Sequence, residues 1–185
     1  MSQATDITSQ LPLAWPSYIA GEPVQSGDTL EVRYPWDGSL TGTLPRITPE
    51  QLEQAIAAAL GQAQPPTKNE RYEILMRARD LLAKRTDEFA HLIRLEAGLC
   101  MRETRYEVGR AQEVFRFAAA EALRDDESIF SCDAAKNGPA RKIFTMREPL
   151  GLVAAITPFN HPLNQVAHKL APAIAAGVPV LLKPS

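Results

Sequence analysis

Near the C-terminal end of this 185-residue sequence, a continuous apolar run, Leu152-Val153-Ala154-Ala155-Ile156-Thr157, leads into Pro158-Phe159-Asn160-His161-Pro162. Leu163, Val166, Ala167, Leu170, Ala171, Ile174 and Ala175 then recur at helical spacing up to Gly177, and Val178 to Leu182 is apolar again before Lys183-Pro184-Ser185. Strand, helix and strand within about thirty residues make a βαβ unit, the element from which dinucleotide-binding sheets are assembled. In such sheets ligands sit beyond the carboxyl ends of the strands. The turn 156–162 and the segment 183–185 therefore share one functional edge, and side chains there face a ligand. Neither Gly-x-Gly-x-x-Gly nor a P-loop occurs, so any dinucleotide is held differently.

Composition bounds the chemistry. Twenty Lys and Arg against 22 Asp and Glu leave a formal charge of -2, which gives no basic excess for nucleic acid or an anionic membrane. The stretch from Leu170 to Leu182 lacks charge but is broken by Pro172 and Pro179, well short of the ~20 residues of a spanning helix. The first basic residue is Arg33, so neither a cationic secretory leader nor an Arg-rich transit peptide is expected. Cys100 and Cys132 form no disulfide framework, and no Cys/His cluster has zinc spacing. A cytoplasmic protein without a metal is the expectation. At 45% hydrophobic and 23% charged residues, the chain can bury roughly 70% of the surface it exposes when unfolded.

The elements upstream must position that edge. Residues 1–16 read as a loose arm ordered only by docking. From Ser17 to Ile47, short strands are expected, broken by turns at Gly21-Glu22, Gly27-Asp28, Trp36-Asp37-Gly38 and Gly42. Thr48-Pro49-Glu50-Gln51 and Thr67 with Glu70 are capping boxes. The first opens a helix with Leu52, Ala55, Ile56 and Ala59 on one face. The second opens one whose core stripe is Ile74, Leu75, Ala78, Leu81 and Leu82. A third helix runs from about Thr86 to a stop at Gly98. A fourth, from about Arg102 to Asp125, carries a core stripe of Val108, Ala111, Phe115, Ala118, Ala119 and Ala122. Its opposite stripe of Tyr106, Arg110, Glu113 and Phe117 predicts a helix between two layers.

Ile129–Asp133 and Arg141–Arg147 around Lys136-Asn137-Gly138-Pro139 predict a projecting two-stranded ribbon. Such a ribbon needs a partner surface, for which another subunit is a candidate. The fold class is thus α/β, an incomplete Rossmann-like parallel sheet with helices on both faces and a projecting hairpin. Residues 1–126 and 149–185 form the coenzyme-binding domain and residues 127–148 the hairpin. Parallel strands of this kind require neighbours, so the sequence is expected to be the N-terminal portion of a longer protein or of an assembly that supplies them.

Ile156-Thr157-Pro158-Phe159-Asn160-His161-Pro162-Leu163, then Lys169 to Gly177, then Leu182-Lys183-Pro184-Ser185 together resemble the aldehyde dehydrogenase superfamily in order, spacing and identity. Arg33 to Gly38, Leu95-Glu96-Ala97-Gly98 and the Asn137-Gly138 ribbon are similar to further family segments, the last to its oligomerisation hairpin. The resemblance implies NAD or NADP as cofactor and a homo-oligomer. It places Asn160 on the Asn that donates to the oxygen of the forming thiohemiacetal, worth roughly 3–4 kcal/mol of barrier. Lys183, with Ser185, falls at the adenosine ribose or its phosphate, and Ile156, Thr157, Pro158 and Phe159 line the coenzyme groove. The family's nucleophilic Cys and deacylating Glu match no residue of this sequence. Cys100 and Cys132 are read as ordinary thiols, and His91 and His168 as structural.

Tyr106 to Arg110, Ala119 to Asp126, Phe130 to Asp133 and His161 beside Asn160 are similar to the phosphonoacetaldehyde dehydrogenase branch. That likeness implies oxidation of phosphonoacetaldehyde to phosphonoacetate. An anionic aldehyde calls for a fixed guanidinium, which makes Arg110, with His161, the expected contact. Another small aldehyde such as lactaldehyde, a CoA-acylating reaction, or a truncated non-catalytic assembly chain are the alternatives. Residue type alone also leaves plainer roles open: Asn160 as a helix N-cap, Lys183 as a solvated lysine, His161 as a polar first-turn residue, and Arg110 paired with Glu113 or Glu107 on its own helix.

Overall fold

The computed structural model describes residues 13–62 and 64–185; the arm expected before residue 13 lies outside them. Two antiparallel hairpins come first. Strands β1 (Ser17–Ile19) and β2 (Glu22–Val24) are joined by Ala20 and Gly21, both at positive φ, as a tight hairpin turn requires. Strands β3 (Thr29–Arg33) and β4 (Leu40–Pro45) follow, closed by the turn at Trp36-Asp37-Gly38. Leu13 and Trp15 dock along β4 through backbone bonds with Thr43. Gly42 is not a turn. It sits inside β4 opposite Val32, where the register shifts, with the Trp15 ring 3.6 Å from its Cβ position, an ordinary contact distance.

Both capping boxes form. Thr48 opens α1 (Pro49–Leu60), and Thr67 opens α2 (Lys68–Lys84), with the Glu70 carboxylate accepting the Thr67 backbone N–H at 2.8 Å. Helix α3 (Thr86–Ala97) ends on left-handed Gly98, and α4 (Met101–Ala122) is the longest element. The core lies where α4 packs against α2, α3 and α5 (Pro162–Ala176), with Leu75, Leu82, Phe115, Ala119, Ala167 and Ala171 at its centre. Ala90, Ile93 and Val108 form a second cluster, and Leu163 packs against both.

Two expected stripes are only half right. Ile74 and Leu81 of α2 are exposed, and so are Tyr106 and Phe117 of α4. Among the described residues α4 has one covered face; no second layer lies over the Tyr106–Phe117 side. The Arg116 guanidinium stacks on the Phe117 ring at 4.4 Å instead.

Strands β5 (Ser128–Ser131) and β6 (Lys142–Thr145) form the ribbon, exposed throughout. It is shorter than expected. Its connection, residues 132–141, is a series of backbone turns rather than a tight Asn-Gly turn. Gly138 is required there by close approach, since a Cβ would lie 1.7 Å from the Cys132 carbonyl oxygen. Strands β7 (Val153–Ile156) and β8 (Val180–Lys183) pair in parallel around α5, which completes the βαβ unit. Burial on both faces of β7 is not found: Ala155 is buried, whereas Ala154 and Ile156 are exposed. Helix α5 packs against both strands, and α1 lies against β8.

Candidate active site

The register pairs Ile156 with Lys183, and the Thr157 N–H donates to the Lys183 carbonyl at 3.2 Å. The carboxyl ends of β7 and β8 are therefore adjacent, as the βαβ reading required. The Ile156, Pro158, Phe159, Lys183 and Ser185 side chains are all exposed at this edge, with Ile156 and Phe159 the most open apolar groups. Thr157 differs. Its side chain is buried, and its Oγ1 has no hydrogen-bond partner.

Asn160 lies in the bend between β7 and α5, exposed and free of any hydrogen bond among the described residues. It is not the helix cap. His161 occupies that position, without a side-chain cap bond, and Pro162 starts the helix. The amide of Asn160 is thus available to an external acceptor.

What caps α5 was not anticipated as a site residue. Glu107, in the buried stripe of α4 and 2% exposed, accepts the backbone N–H groups of Leu163 and Asn164 on Oε1, both at 2.9 Å. Its Oε2 lies 3.5 Å from His161 Nδ1, an ion-pair separation rather than a hydrogen bond, and both atoms are buried without a hydrogen-bond partner. A signal was present in the sequence. Thr104, Glu107, Val108 and Ala111 follow the helical period of one face, so a charged residue stands within an apolar stripe.

Four of the five buried side-chain polar atoms without a partner among the described residues belong to Glu107, Thr157, His161 and Asn164. Three of them, Glu107, His161 and Asn164, meet at the start of α5.

Arg110 is exposed one turn along α4 from Glu107 and has no hydrogen-bond or ion-pair partner among the described residues. The intrahelical pairing left open by its residue type is not formed. Arg116 takes Glu113 at 2.6 Å, and Glu107 turns inward. Cys100 and Cys132 are free, the first at the start of α4 and the second in the ribbon loop. His91 is half-buried on α3, and His168 is exposed on α5.

With this geometry in place, the likeness to known proteins decides the family. The sequence model of the aldehyde dehydrogenase family matches residues 23–185. The chain belongs to the aldehyde dehydrogenase family. It is 38% identical over 169 residues to the 3-sulfolactaldehyde dehydrogenase of Priestia aryabhattai, covering 91% of this chain and 35% of that protein. Among solved structures, the NADP-dependent glyceraldehyde-3-phosphate dehydrogenase from Bacillus halodurans C-125 complexed with NADP superposes with a TM-score of 0.84. The two are 33% identical, over 90% of this chain and 36% of that one. Aldehyde dehydrogenase 21 from Physcomitrella patens, in complex with its reaction product succinate, gives 0.88 at 30% identity over 95% and 37%. The chain spans about a third of the length of these aldehyde dehydrogenases.

Proposed function

We propose that this chain forms the oxyanion and coenzyme portion of an NAD(P)-dependent aldehyde dehydrogenase acting on a small anionic aldehyde, with oxidation of phosphonoacetaldehyde to phosphonoacetate as the favoured reaction. The observation that carries the reading is the unpaired, exposed amide of Asn160 at the carboxyl edge of β7. It shares one turn with the unpartnered Thr157 hydroxyl and lies on the same sheet edge as Lys183.

The edge fits a dinucleotide held without a glycine-rich turn. Thr157 Oγ1 lacks a partner, and the apolar Ile156 and Phe159 lie beside a cationic Lys183 on open strand ends. The backbone of 156–159, Lys183 and Ser185 would hold NAD or NADP, which when bound supplies the hydride acceptor. Asn160 donates from its side-chain amide to the substrate carbonyl oxygen as that oxygen gains negative charge. Arg110 and His161 bind the anionic end of the substrate. The nucleophilic Cys and the water-activating Glu are assigned to the part of the family's length that this chain does not span.

An anionic substrate is in keeping with the names of the similar proteins, which include a sulfonated aldehyde, a phosphorylated aldehyde and a dicarboxylate product. The exposed apolar ribbon, with Ile129 and Phe144 facing each other across its strands, supports a homo-oligomer joined through residues 127–148. Residues 1–126 and 149–185 make the coenzyme-binding unit. No helix among the described residues is long and apolar enough to cross a membrane, and the two free cysteines suit a reducing cytoplasm.

The test is formation of reduced coenzyme by the full-length protein with phosphonoacetaldehyde, acetaldehyde or lactaldehyde. A higher kcat/KM for phosphonoacetaldehyde is expected. A preference for lactaldehyde moves the substrate assignment, and no reduced coenzyme with any aldehyde leaves a non-catalytic assembly role.

A further inference from the structure

Burying a carboxylate is costly unless its oxygens are paired. Glu107 solves half of that problem within the described chain. Its Oε1 takes the N–H groups of Leu163 and Asn164, and its Oε2 stands unpaired 3.5 Å from an equally unpaired His161 Nδ1. Nothing local does the same work: α5 has no acidic residue in its first turn and no side-chain cap. The His161 side chain is 43% exposed while Nδ1 is buried, so the accessible part of the ring is the remainder, away from Glu107.

We propose that Glu107 is the positioning residue of this site: Oε1 fixes the turn that carries Asn160 by capping α5, and Oε2 dictates which ring nitrogen of His161 bears the proton. The second role deepens the reading of Asn160 and His161 given above and rests on it. A neutral imidazole has one N–H and one lone pair. With only an acceptor behind the ring, Nδ1 carries the hydrogen and Nε2 presents its lone pair outward.

Glu107→Gln in the full-length enzyme separates this from simple structural support. Gln has one carbonyl oxygen, which the two backbone N–H groups claim, so its NH2 faces Nδ1. The ring must then move its hydrogen to Nε2. Diethyl pyrocarbonate acylates an imidazole lone pair, and at about pH 8 an ordinary imidazole is neutral. Mass spectrometry of the peptide containing His161 should show acylation slowed about tenfold in the Gln variant, the size expected for a mispaired buried donor. Labelling of His168, exposed on α5, serves as the internal reference and should not change.

Unchanged His161 labelling in a folded Gln variant overturns the proposal. So does Glu107→Ala with unaltered melting temperature and kcat. If labelling slows and KM rises for an anionic aldehyde but not for a neutral one, both the proposal and the substrate role of His161 stand. If labelling slows while KM is unchanged for both, Glu107 keeps its role and His161 leaves the substrate site.

Discussion

Glu107 Oε1 lies 2.9 Å from the backbone nitrogen of Asn164, 57 residues further along the chain. With the matching bond from Leu163, that contact ties the first third of α4 to the first turn of α5, immediately after the bend that carries Asn160. It places a carboxylate at the positive end of a helix dipole, on donors that no residue within the helix can satisfy.

Removing that carboxylate should therefore loosen the fold as well as the site. Glu107→Ala strands the buried N–H of Asn164 and the part-buried N–H of Leu163, at a cost of about 1–3 kcal/mol for a buried donor. A loss of about 3 kcal/mol is expected, read from the midpoint of urea unfolding, with much less for Glu107→Gln.

Asn160 should behave in the opposite way. Its side chain is exposed and makes no hydrogen bond among the described residues, so Asn160→Ala should leave the melting temperature of the full-length enzyme unchanged. Loss of an oxyanion donor costs about 100- to 1000-fold in kcat. A variant that melts earlier and keeps its kcat would make Asn160 a structural residue.

Under the proposed function, Arg110 is where anionic and neutral aldehydes should part. Because its guanidinium has no partner among the described residues, Arg110→Ala should not cost stability. It should raise KM for an anionic aldehyde about tenfold or more, the worth of a charge-assisted bond. Steady-state kinetics with a neutral aldehyde of the same size is the control, and equal effects on both would remove Arg110 from the site.

The second capping box should appear in acid unfolding. Bonds from the Thr67 backbone N–H and hydroxyl hold the Glu70 carboxyl below the usual carboxylate range. A carboxyl whose pKa is depressed by folding contributes stability above its unfolded pKa of about 4.3, and that contribution is lost as pH falls through the folded value. Thr67→Ala should cost about 1 kcal/mol near neutral pH. The gap between variant and parent should narrow in acid, as followed by thermal melts across the pH range.

The ribbon gives a prediction about assembly. Phe144, 71% exposed and opposite Ile129, should lie in a subunit contact. Phe144→Asp should shift the full-length protein to a smaller species in sedimentation velocity, and an unchanged sedimentation coefficient would place the contact elsewhere.

Much of this was legible in the sequence because the signals are local. Thr67 and Glu70 are three residues apart, Gly98 and Gly177 stop helices by their own backbone freedom, and the βαβ unit is contiguous. Burial was less legible, since Ile74, Leu81, Tyr106 and Phe117 lie on helical faces that nothing else in the described chain covers. Glu107 was missed as a site residue for a related reason. Its donors and the His161 ring become neighbours only when α4 and α5 pack, and residue type alone assigns a Glu on a helix to solvent.

Helix α5 is anchored at its far end too. Arg71 of α2 donates to the Ala175 carbonyl at 2.8 Å, and its guanidinium occupies the space that a side chain at Gly177 would need. An anion from α4 grips one end and a cation from α2 the other, so the α2–α4 pair acts as a gauge for the length of α5. One residue more or fewer in α5 rotates everything beyond it by about 100°. Neither anchor can follow, so the error would be passed into the bend at Asn160 or the start of β8. Relatives that conserve this arrangement should therefore vary α5 by substitution and place their insertions and deletions elsewhere, for instance in the ribbon loop.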